Sequence, residues 1–270
     1  RIMREYGTNI VGGVSPRAGV NDVDGVPVFA DSTSAVHATG ATACVAMVGA
    51  MQLLDAIKDA VAAGIKLIVT PTEGMPAHDA IRARRLTQQA NVTWIGASTP
   101  GMAVAGQAKL GFLPEAALIP GPLGIMSKSG TLSYESGYRL AQRGVGTSIW
   151  IGVGGDPVKG TRFAELVPFY AQDTATEALL IIGEIGGSEE EDFAAALTEQ
   201  NFSKPVFALI AGRSSPEGVT MGHAGALVHG SHGGYAAKRM ALEHAGVTVF
   251  GSLEEMTERV VAWHAARSTR

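Results

Sequence analysis

The fold of this chain is indicated first by Val206-Phe207-Ala208-Leu209-Ile210 and by the segment that follows it, Ser214-Ser215-Pro216-Glu217-Gly218-Val219-Thr220-Met221-Gly222-His223-Ala224-Gly225. An apolar run bounded by turn residues is typical of a buried strand in a parallel sheet. In open α/β sheets ligands bind at the carboxyl ends of the strands, and the glycines let a phosphate-sized group approach the imidazole. The pattern therefore predicts an α/β fold and a reactive His223. The alternative is a loop histidine without a role.

The amino-acid composition favours a globular protein and argues against nucleic-acid-binding and membrane proteins. The 270 residues are 46% hydrophobic and 17% charged, which is enough for a sizeable core and two domains. The net charge is −4 and no basic cluster is longer than residues 82–85, so nucleic-acid binding is not expected. The single cysteine, Cys44, lies in an apolar run, which suits a core position in a reducing compartment. No apolar stretch reaches the ~18 residues of a membrane span and no signal peptide is visible, so we expect a cytoplasmic protein without membrane contact.

Strand and helix patterns alternate along the whole chain. The first series has strands at 9–14, 26–29, 43–48, 66–70 and 93–95 and helices at 32–39 (N-cap Ser32), 51–63 and 78–90. The second series has strands at 123–126, 147–151, 178–182, 205–210 and 247–250 and helices at 131–143, 162–170, 189–199, 235–245 and 253–266. Repeated βα units predict parallel sheets covered by helices. With a proline-rich linker at 113–122, we expect a Rossmann-like domain over 1–118 and a second doubly wound, flavodoxin-like domain over 119–270.

Small polar residues follow the strand predicted at 123–126. Ser129, Gly130 and Thr131 open the next helix, where free backbone N–H groups and the helix dipole can hold a phosphate. The alternative is an ordinary Ser/Thr N-cap.

Two further strands also end in turns rich in glycine. One turn is 152–155, where the backbone has to pass close to another group, and the other places Glu184 beside Gly186 and Gly187. A carboxylate that accepts the Nδ1 proton of a histidine leaves Nε2 free as a nucleophile. Glu184 is thus a candidate partner of His223, and its alternative is a solvated loop residue.

Four spaced motifs carry a family resemblance. SKSGTLSYE (127–135), GVGGDPVKGT (152–161), IGEIGG (182–187) and IAGRSSPEGVTMGHAGA (210–226) resemble the α subunit of succinyl-CoA synthetase and related ADP- or GDP-forming carboxylate–CoA ligases. The resemblance extends from near Tyr6 to the last helix. It implies a Rossmann-like CoA-binding domain followed by a flavodoxin-like ligase domain.

The resemblance also implies roles for site residues. His223 would be transiently phosphorylated, Glu184 would steady it, Ser129 to Thr131 would hold the phosphoryl group, and Tyr134 would lie at the substrate. The nucleotide, ATP or GTP with Mg²⁺, would bind an ATP-grasp β subunit in an αβ or α2β2 assembly. The phosphohistidine would convert a short carboxylic acid into an acyl phosphate, which CoA attacks. No metal site is expected on this chain.

Three loops of the first domain match CoA-contacting loops of the family. The matching residues are Ser15, Arg17 and Ala18, then Pro71, Thr72 and Glu73, and then Ala97, Ser98 and Thr99. Ala18 stands where the family has a phosphate-contacting lysine, so Arg17 is a candidate for that charge. The family's first strand and glycine-rich loop would lie before Arg1.

The third loop bears on the choice of acid. Ser98 and Thr99 replace an asparagine and a cysteine of the family, which predicts that succinate is not the acid, or not the only one; malate or a related short dicarboxylic acid would fit two hydroxyls. The alternative is that this turn only packs against CoA and that the β subunit selects the acid.

Two other classes of protein compete with this interpretation. A non-catalytic CoA-binding relative would be expected to lack the histidine, and a dinucleotide-dependent oxidoreductase would need a GxGxxG motif, which is not visible. The remaining histidines are given no role: His229 and His232 fall in a loop, and predicted helices contain His37, His78, His244 and His264.

Overall fold

The computed structural model describes residues 1–17, 19–215, 222–223, 225–228 and 233–267. Its first elements are short: α1 (Ile2–Glu5), β1 (Gly13–Val14), β2 (Asp22–Val23), β3 (Val26–Phe29) and α2 (Ser32–Thr39). Strand β3 lies between β1, which is parallel to it, and β2, which is antiparallel. The strand predicted at 9–14 is therefore shorter than expected. The predicted N-cap Ser32 is wrong, because the carboxylate of Asp31 accepts the Ser34 N–H (2.7 Å) and caps α2.

A parallel βα unit follows. Its elements are β4 (Ala43–Val45), α3 (Leu53–Ala62), β5 (Leu67–Thr70), α4 (Ala77–Gln89) and β6 (Thr93–Gly96), and the strands pair in the order β4-β5-β6. Leu53 and Ile57 of α3 and Ile68 of β5 are fully buried against each other. The predicted Rossmann-like alternation is confirmed over this part of the chain.

A larger sheet contains the remaining strands of the described residues. The elements are β7 (Gly101–Val104), β8 (Ala108–Gly111), β9 (Pro120–Ser127), α5 (Gly130–Gln142), β10 (Thr147–Gly152), α6 (Phe163–Gln172), β11 (Ala178–Glu184), α7 (Glu189–Glu199), β12 (Val206–Ala211), α8 (Tyr235–His244), β13 (Thr248–Phe250) and α9 (Leu253–Arg267). They pair in the order β13-β12-β11-β9-β10-β7-β8. Strands β9 to β13 are parallel, as predicted, whereas β7 is antiparallel to β10.

Both faces of this sheet are covered. Along β11, Leu179 and Ile181 pack against α6, α7 and α8, while Leu180 and Ile182 pack against α5 and α9. All four side chains are fully buried, which is why the strand reads as a continuous apolar run instead of an alternating one. Helices on the two faces leave the carboxyl ends of β9 to β12 as the open edge of the sheet.

The hairpin β7–β8 was not predicted from the sequence. Its two strands are short, and the hairpin begins at Gly101 and ends at Gly111. These two glycines lie so close together that a Cβ on either would overlap the backbone of the other. Because β7 pairs with β10, the chain joins the large sheet at Gly101, upstream of the linker predicted at 113–122. The division into domains at 118 and 119 stays a prediction.

Candidate active site

The predicted catalytic and phosphate-binding residues lie in segments at the carboxyl ends of neighbouring strands of the large sheet. Strand β9 ends at Ser127, β10 at Gly152, β11 at Glu184 and β12 at Ala211. The described part of the segment after β12 includes His223, which contacts the end of β11. Segments that are separate in sequence therefore meet at one edge of the sheet, as the βα pattern predicts.

His223 and Glu184 form a direct pair. The imidazole Nδ1 lies 2.6 Å from Glu184 Oε2, and the side-chain exposure is 25% for His223 and 6% for Glu184. Because an ionised carboxylate only accepts, the neutral imidazole carries its proton on Nδ1 and keeps the Nε2 lone pair free. The pair can therefore present a nucleophilic nitrogen while remaining partly open to a reactant.

The turn after β10 also contacts the imidazole ring of His223. The backbone of Gly155 lies against the imidazole, so a Cβ built on Gly155 would overlap its Cγ and Nδ1 atoms. The next residue, Asp156, has a raised pKa because of burial and, secondarily, the charge of Glu73. The glycine predicted from the GVGGDP motif is thus required by a close approach, and Asp156, which no sequence pattern singled out, adds a half-buried carboxylate.

The hydrogen bond that the His223 ring donates to Glu184 raises the pKa of His223 above its usual 6.5, against the opposing effect of burial. We expect Glu184→Gln to lower that pKa, because the amide offers no negative charge to the imidazolium. The charged pair stabilises the fold below the unfolded pKa, and this contribution is lost as pH rises through the higher folded pKa. An NMR titration of the His223 ring in both proteins measures the change, and an unaltered titration in Glu184→Gln would contradict the assigned pair.

The predicted phosphate cradle opens α5. Ser129 is the N-cap, and its hydroxyl accepts the Leu132 N–H at 3.3 Å, so the interpretation as an N-cap is confirmed, while the phosphate-binding role stays a prediction. The preceding residue, Lys128, has its Nζ 3.8 Å from Glu184 Oε1, which places the start of α5 beside the pair. The N–H groups of Gly130 and Thr131 belong to the first turn, where a helix has no internal acceptors for them.

Tyr134 lies one turn into α5 and reaches back toward the start of the helix. A Cβ built on Gly130 would lie 3.6 Å from the Tyr134 hydroxyl and 4.0 Å from Pro100 Cβ. Burial raises the pKa of Tyr134 to about 12, so the hydroxyl stays protonated and can donate a hydrogen bond. Gly130 of the cradle is thus close both to the Tyr134 hydroxyl and to Pro100 in the turn that precedes β7.

That turn contains three of the predicted CoA-contacting residues. Ala97 and Thr99 are buried, and the Thr99 hydroxyl both donates to the Gly152 carbonyl and accepts the Gly101 N–H (2.9 Å). Ser98 is partly exposed, with a backbone N–H bound to the Thr72 carbonyl (2.9 Å). Of these three side chains, the structure therefore leaves Ser98 the most open to a ligand.

The other predicted CoA contacts follow two strands of the first part of the chain. Pro71, Thr72 and Glu73 come directly after β5, and the Thr72 hydroxyl donates to the Val48 carbonyl at 2.6 Å. Ser15 and Arg17 follow β1, and the Arg17 N–H donates to the Ser15 hydroxyl (3.3 Å) while its side chain is exposed. Ala18 lies outside the described residues, as do His229 and His232.

A group of buried charges next to His223 was missed from the sequence. It consists of Lys128, Lys159, Lys238, Glu189 and Glu190, which we call the buried ion-pair cluster. Two of the lysines stand inside the motifs quoted above, and the glutamates come one residue after IGEIGG, but sequence alone does not reveal that such residues are buried.

Metal-binding clusters and membrane spans are both absent from the residues that the structure describes. No group of three or more His, Cys, Asp or Glu side chains lies close enough to hold a metal ion within the described ranges. None of the described helices is long and apolar enough to cross a membrane. His37, His78, His244 and His264 lie in helices, as predicted.

Family models match both parts of the chain. The CoA-binding domain model matches residues 1–74, and the CoA-ligase model matches residues 126–248. The second match contains the His223–Glu184 pair, the start of α5 and the buried ion-pair cluster. The two α/β parts thus correspond to the two domain types that the motifs indicate.

Curated relatives match nearly the whole chain. It is 43% identical over 259 residues to the succinate–CoA ligase [ADP-forming] α subunit of Aquifex aeolicus, covering 95% of this chain and 85% of the relative. It is 40% identical to the malate–CoA ligase α subunit of Methylorubrum extorquens (92% and 84% covered). It is also 40% identical to a subunit of the ADP-forming sulfoacetate–CoA ligase of Bilophila wadsworthia (90% and 84% covered).

Solved structures share the fold. The ATP citrate lyase of Methanothrix soehngenii, solved with citrate and coenzyme A, superimposes with a TM-score of 0.83 at 24% identity. The match covers 90% of this chain and 42% of the lyase chain. At this identity the likeness concerns the arrangement of strands and helices alone.

Proposed function

Because the chain belongs to the family of succinate–CoA ligase α subunits, we propose that it carries the phosphohistidine of an ADP- or GDP-forming carboxylate–CoA ligase. Membership makes it an acid–thiol ligase subunit with a CoA-binding domain. The observation that supports the phosphohistidine most directly is the 2.6 Å contact of His223 Nδ1 with Glu184 Oε2. It leaves Nε2 free at the edge of the sheet where α5 begins.

In the first step we propose, His223 Nε2 attacks the terminal phosphorus of a nucleoside triphosphate. The bond from that phosphorus to the bridging oxygen breaks, and the nucleoside diphosphate leaves with its electron pair. The ring becomes positively charged as the N–P bond forms, and Glu184 stabilises this charge through Nδ1–H. The free N–H groups of Gly130 and Thr131 bind the phosphoryl oxygens at the positive end of α5.

Two further transfers complete the proposed reaction. A carboxylate oxygen of the acid attacks the phosphorus, the N–P bond breaks, and His223 is regenerated beside an acyl phosphate. The CoA sulfur then attacks the acyl carbon, the bond from that carbon to the phosphate oxygen breaks, and inorganic phosphate leaves while the thiol proton is lost. Dividing one condensation among three transfers lets positioning and charge stabilisation drive each step.

The proposal includes a second subunit. Relatives are named α subunits, and this chain contains no P-loop Gly-Lys-Ser/Thr motif. We propose that an ATP-grasp β subunit binds ATP or GTP with Mg²⁺ and presents it to His223 in a cytoplasmic αβ or α2β2 assembly. Coenzyme A would bind at the loops containing Ser15, Thr72 and Ser98.

The partner requirement gives a direct test of the proposed function. We expect the isolated chain to show no ATP turnover, and the chain mixed with its cognate β subunit to convert ATP, CoA and a short carboxylic acid into acyl-CoA, ADP and phosphate. Product formation measured by liquid chromatography checks both halves of this expectation. Steady acyl-CoA synthesis by the isolated chain, or none by the assembled pair with any short acid, contradicts the proposal.

We also propose that the preferred acid substrate is not succinate, or not succinate alone. Relatives of similar identity are named for succinate, malate and sulfoacetate, so the family does not determine the acid. Thr99 uses its hydroxyl inside the chain, so Ser98 is the residue of this turn to which we assign contact with a hydroxyl or a second acidic group. Ser98 has a φ of 58°, a conformation that asparagine tolerates well.

We expect Ser98→Asn to change the ratio of kcat/KM for malate over succinate by about 10-fold, because one polar contact at the acid is altered by ~1–3 kcal/mol. The measurement is kcat/KM for a panel of short mono- and dicarboxylic acids with the assembled enzyme. Ser203→Asn, at the amino end of β12, is the matched control. If succinate is best by a wide margin and Ser98→Asn leaves the order unchanged, the β subunit selects the acid and this prediction is wrong.

A further inference from the structure

The four segments around the His223–Glu184 pair share one attachment point. This point is the first turn of α7, where Glu189 and Glu190 are buried. Each of the three lysines of the buried ion-pair cluster comes from a different segment: Lys128 precedes α5, Lys159 precedes α6, and Lys238 lies in α8. The fourth segment is the end of β11, which contains Glu184, with the turn that leads from it to α7.

Glu190 fixes the backbone of Glu184. Its Oε1 accepts the Glu184 N–H at 3.0 Å and lies 3.2 Å from Lys128 Nζ, and its Oε2 lies 2.5 Å from Lys238 Nζ. One fully buried carboxylate therefore contacts the residue that binds His223, the segment that begins the phosphate cradle, and the helix that follows the histidine segment. A displacement of Glu190 moves all three.

Lys238 attaches the end of the histidine segment. It is fully buried and donates to the Gly187 carbonyl and to Glu191 Oε2, each at 2.9 Å. Since α8 begins at Tyr235 and Lys238 lies one turn into it, these bonds hold the carboxyl end of the segment containing His223 against the turn that follows Glu184.

Lys159 attaches the turn that supports the imidazole. Its Nζ lies 2.7 Å from Glu189 Oε2 and donates to the Gly154 carbonyl at 2.6 Å. Gly155, the next residue, is the one whose backbone lies against the His223 ring. The other oxygen of Glu189 accepts the Phe163 N–H at the start of α6 (3.2 Å).

Stability alone does not account for this arrangement. Buried ion pairs recover little more than the cost of desolvating their charges, and apolar side chains of similar volume are often as stable. Beyond stability, the cluster fixes the positions of main-chain segments. Lys159 and Lys238 each donate to a main-chain carbonyl, and Lys128 pairs with the Glu190 carboxylate, which accepts a main-chain N–H. Such bonds fix loops to within a few tenths of an ångström, the tolerance of a reacting site.

We propose that the buried ion-pair cluster positions the reacting groups, holding the His223 ring, its Glu184 partner and the start of α5 in register for phosphoryl transfer. Its members are positioning residues that act through Glu184 and Gly155 without touching the reactants. The inference rests on the proposed function, because the transfer it serves is the phosphorylation of His223.

The proposal is tested with a double variant, Lys159→Met with Glu189→Gln. Because both members of the ion pair become neutral, neither is left as an unpaired buried charge. We expect the rate of His223 phosphorylation by ATP in the assembled enzyme to fall about 100-fold, the effect of a displacement near 1 Å, with KM for CoA unchanged. We also expect ¹⁵N shifts of His223 to report a mixture of tautomers in place of one. If this variant does not fold, Lys159→Gln alone is measured with the same expectation.

The control is the same double change at another buried lysine. Lys109→Met with Glu115→Gln removes a 2.9 Å pair in and after β8, at the far edge of the sheet, and should leave phosphorylation and tautomer unchanged. A folded Lys159 variant that phosphorylates within about threefold of wild type and keeps one tautomer overturns the inference. Absence of phosphohistidine in the wild-type assembly would instead overturn the proposed function.

Discussion

Replacing His223 with asparagine is expected to abolish both the phosphorylation of this chain and acyl-CoA synthesis by the assembled enzyme. Asparagine is close to histidine in size and can still reach Glu184 with its amide, but that amide nitrogen has no available lone pair with which to attack phosphorus. Removing a covalent nucleophile typically lowers turnover by about 10⁴-fold or more, on the order of the largest single-residue effects known.

The measurement follows label from [γ-³²P]ATP into the α chain in the presence of the β subunit. Phosphohistidine is labile in acid and stable in base, so the wild-type adduct can be told from phosphoserine or an acyl phosphate. His78→Asn, on the exposed face of α4, serves as the matched control and should label normally. Label that persists in His223→Asn with the same stability would assign the phosphoryl group to another residue.

The second large effect is expected from a single methyl group. Gly155→Ala places a Cβ where the His223 ring now lies, so the ring must move away from Glu184 or the turn after β10 must shift. We expect the ring to move, because it is partly exposed, and a displacement of Nε2 by about 1 Å corresponds to about a 100-fold loss in the rate of phosphorylation. The fold should persist, because His223 is partly exposed and its ring can rotate toward solvent.

Gly234→Ala is the appropriate comparison. Gly234 precedes α8 in the same region and has an ordinary φ of −73°, and a Cβ added to it would have no atom of the described residues within 4 Å. Its variant should phosphorylate at the wild-type rate. Single-turnover rates and circular dichroism of both variants separate displacement of the ring from loss of structure. Equal rates for Gly155→Ala and wild type would show that the ring does not depend on this contact.

Much of the fold was predictable because of how its sheet is buried. Strands such as β11 are covered on both faces, so their sequences are unbroken apolar runs that stand out between the helices. The hairpin β7–β8 escaped prediction because its two strands have only four residues each and are only half buried in alternation. Their place in the sheet depends on pairing with β10, a contact between segments far apart in the chain.

The proximity of His223 and Glu184 could also be predicted from the sequence. His223 and Glu184 each follow an apolar strand and stand beside glycines, and the strand order brings them together. The burial of Lys159 and Lys238 could not be predicted, because the sequence does not distinguish a buried lysine from the many lysines that are exposed to solvent. Thr99 shows the reverse: a residue matched to a ligand loop proves to have its hydroxyl bonded within the chain.

The hairpin β7–β8 has a consequence for how the two halves could be separated or recombined. A gene cut at the proline-rich segment, where composition suggests a natural boundary, would leave the hairpin on the wrong fragment. The ligase half would then present β10 as a bare edge strand, and unprotected edges of this kind pair with one another and aggregate. A separable ligase module therefore has to begin at or before Gly101. We expect that chimeras exchanging this module between relatives fold only when the junction lies before the hairpin.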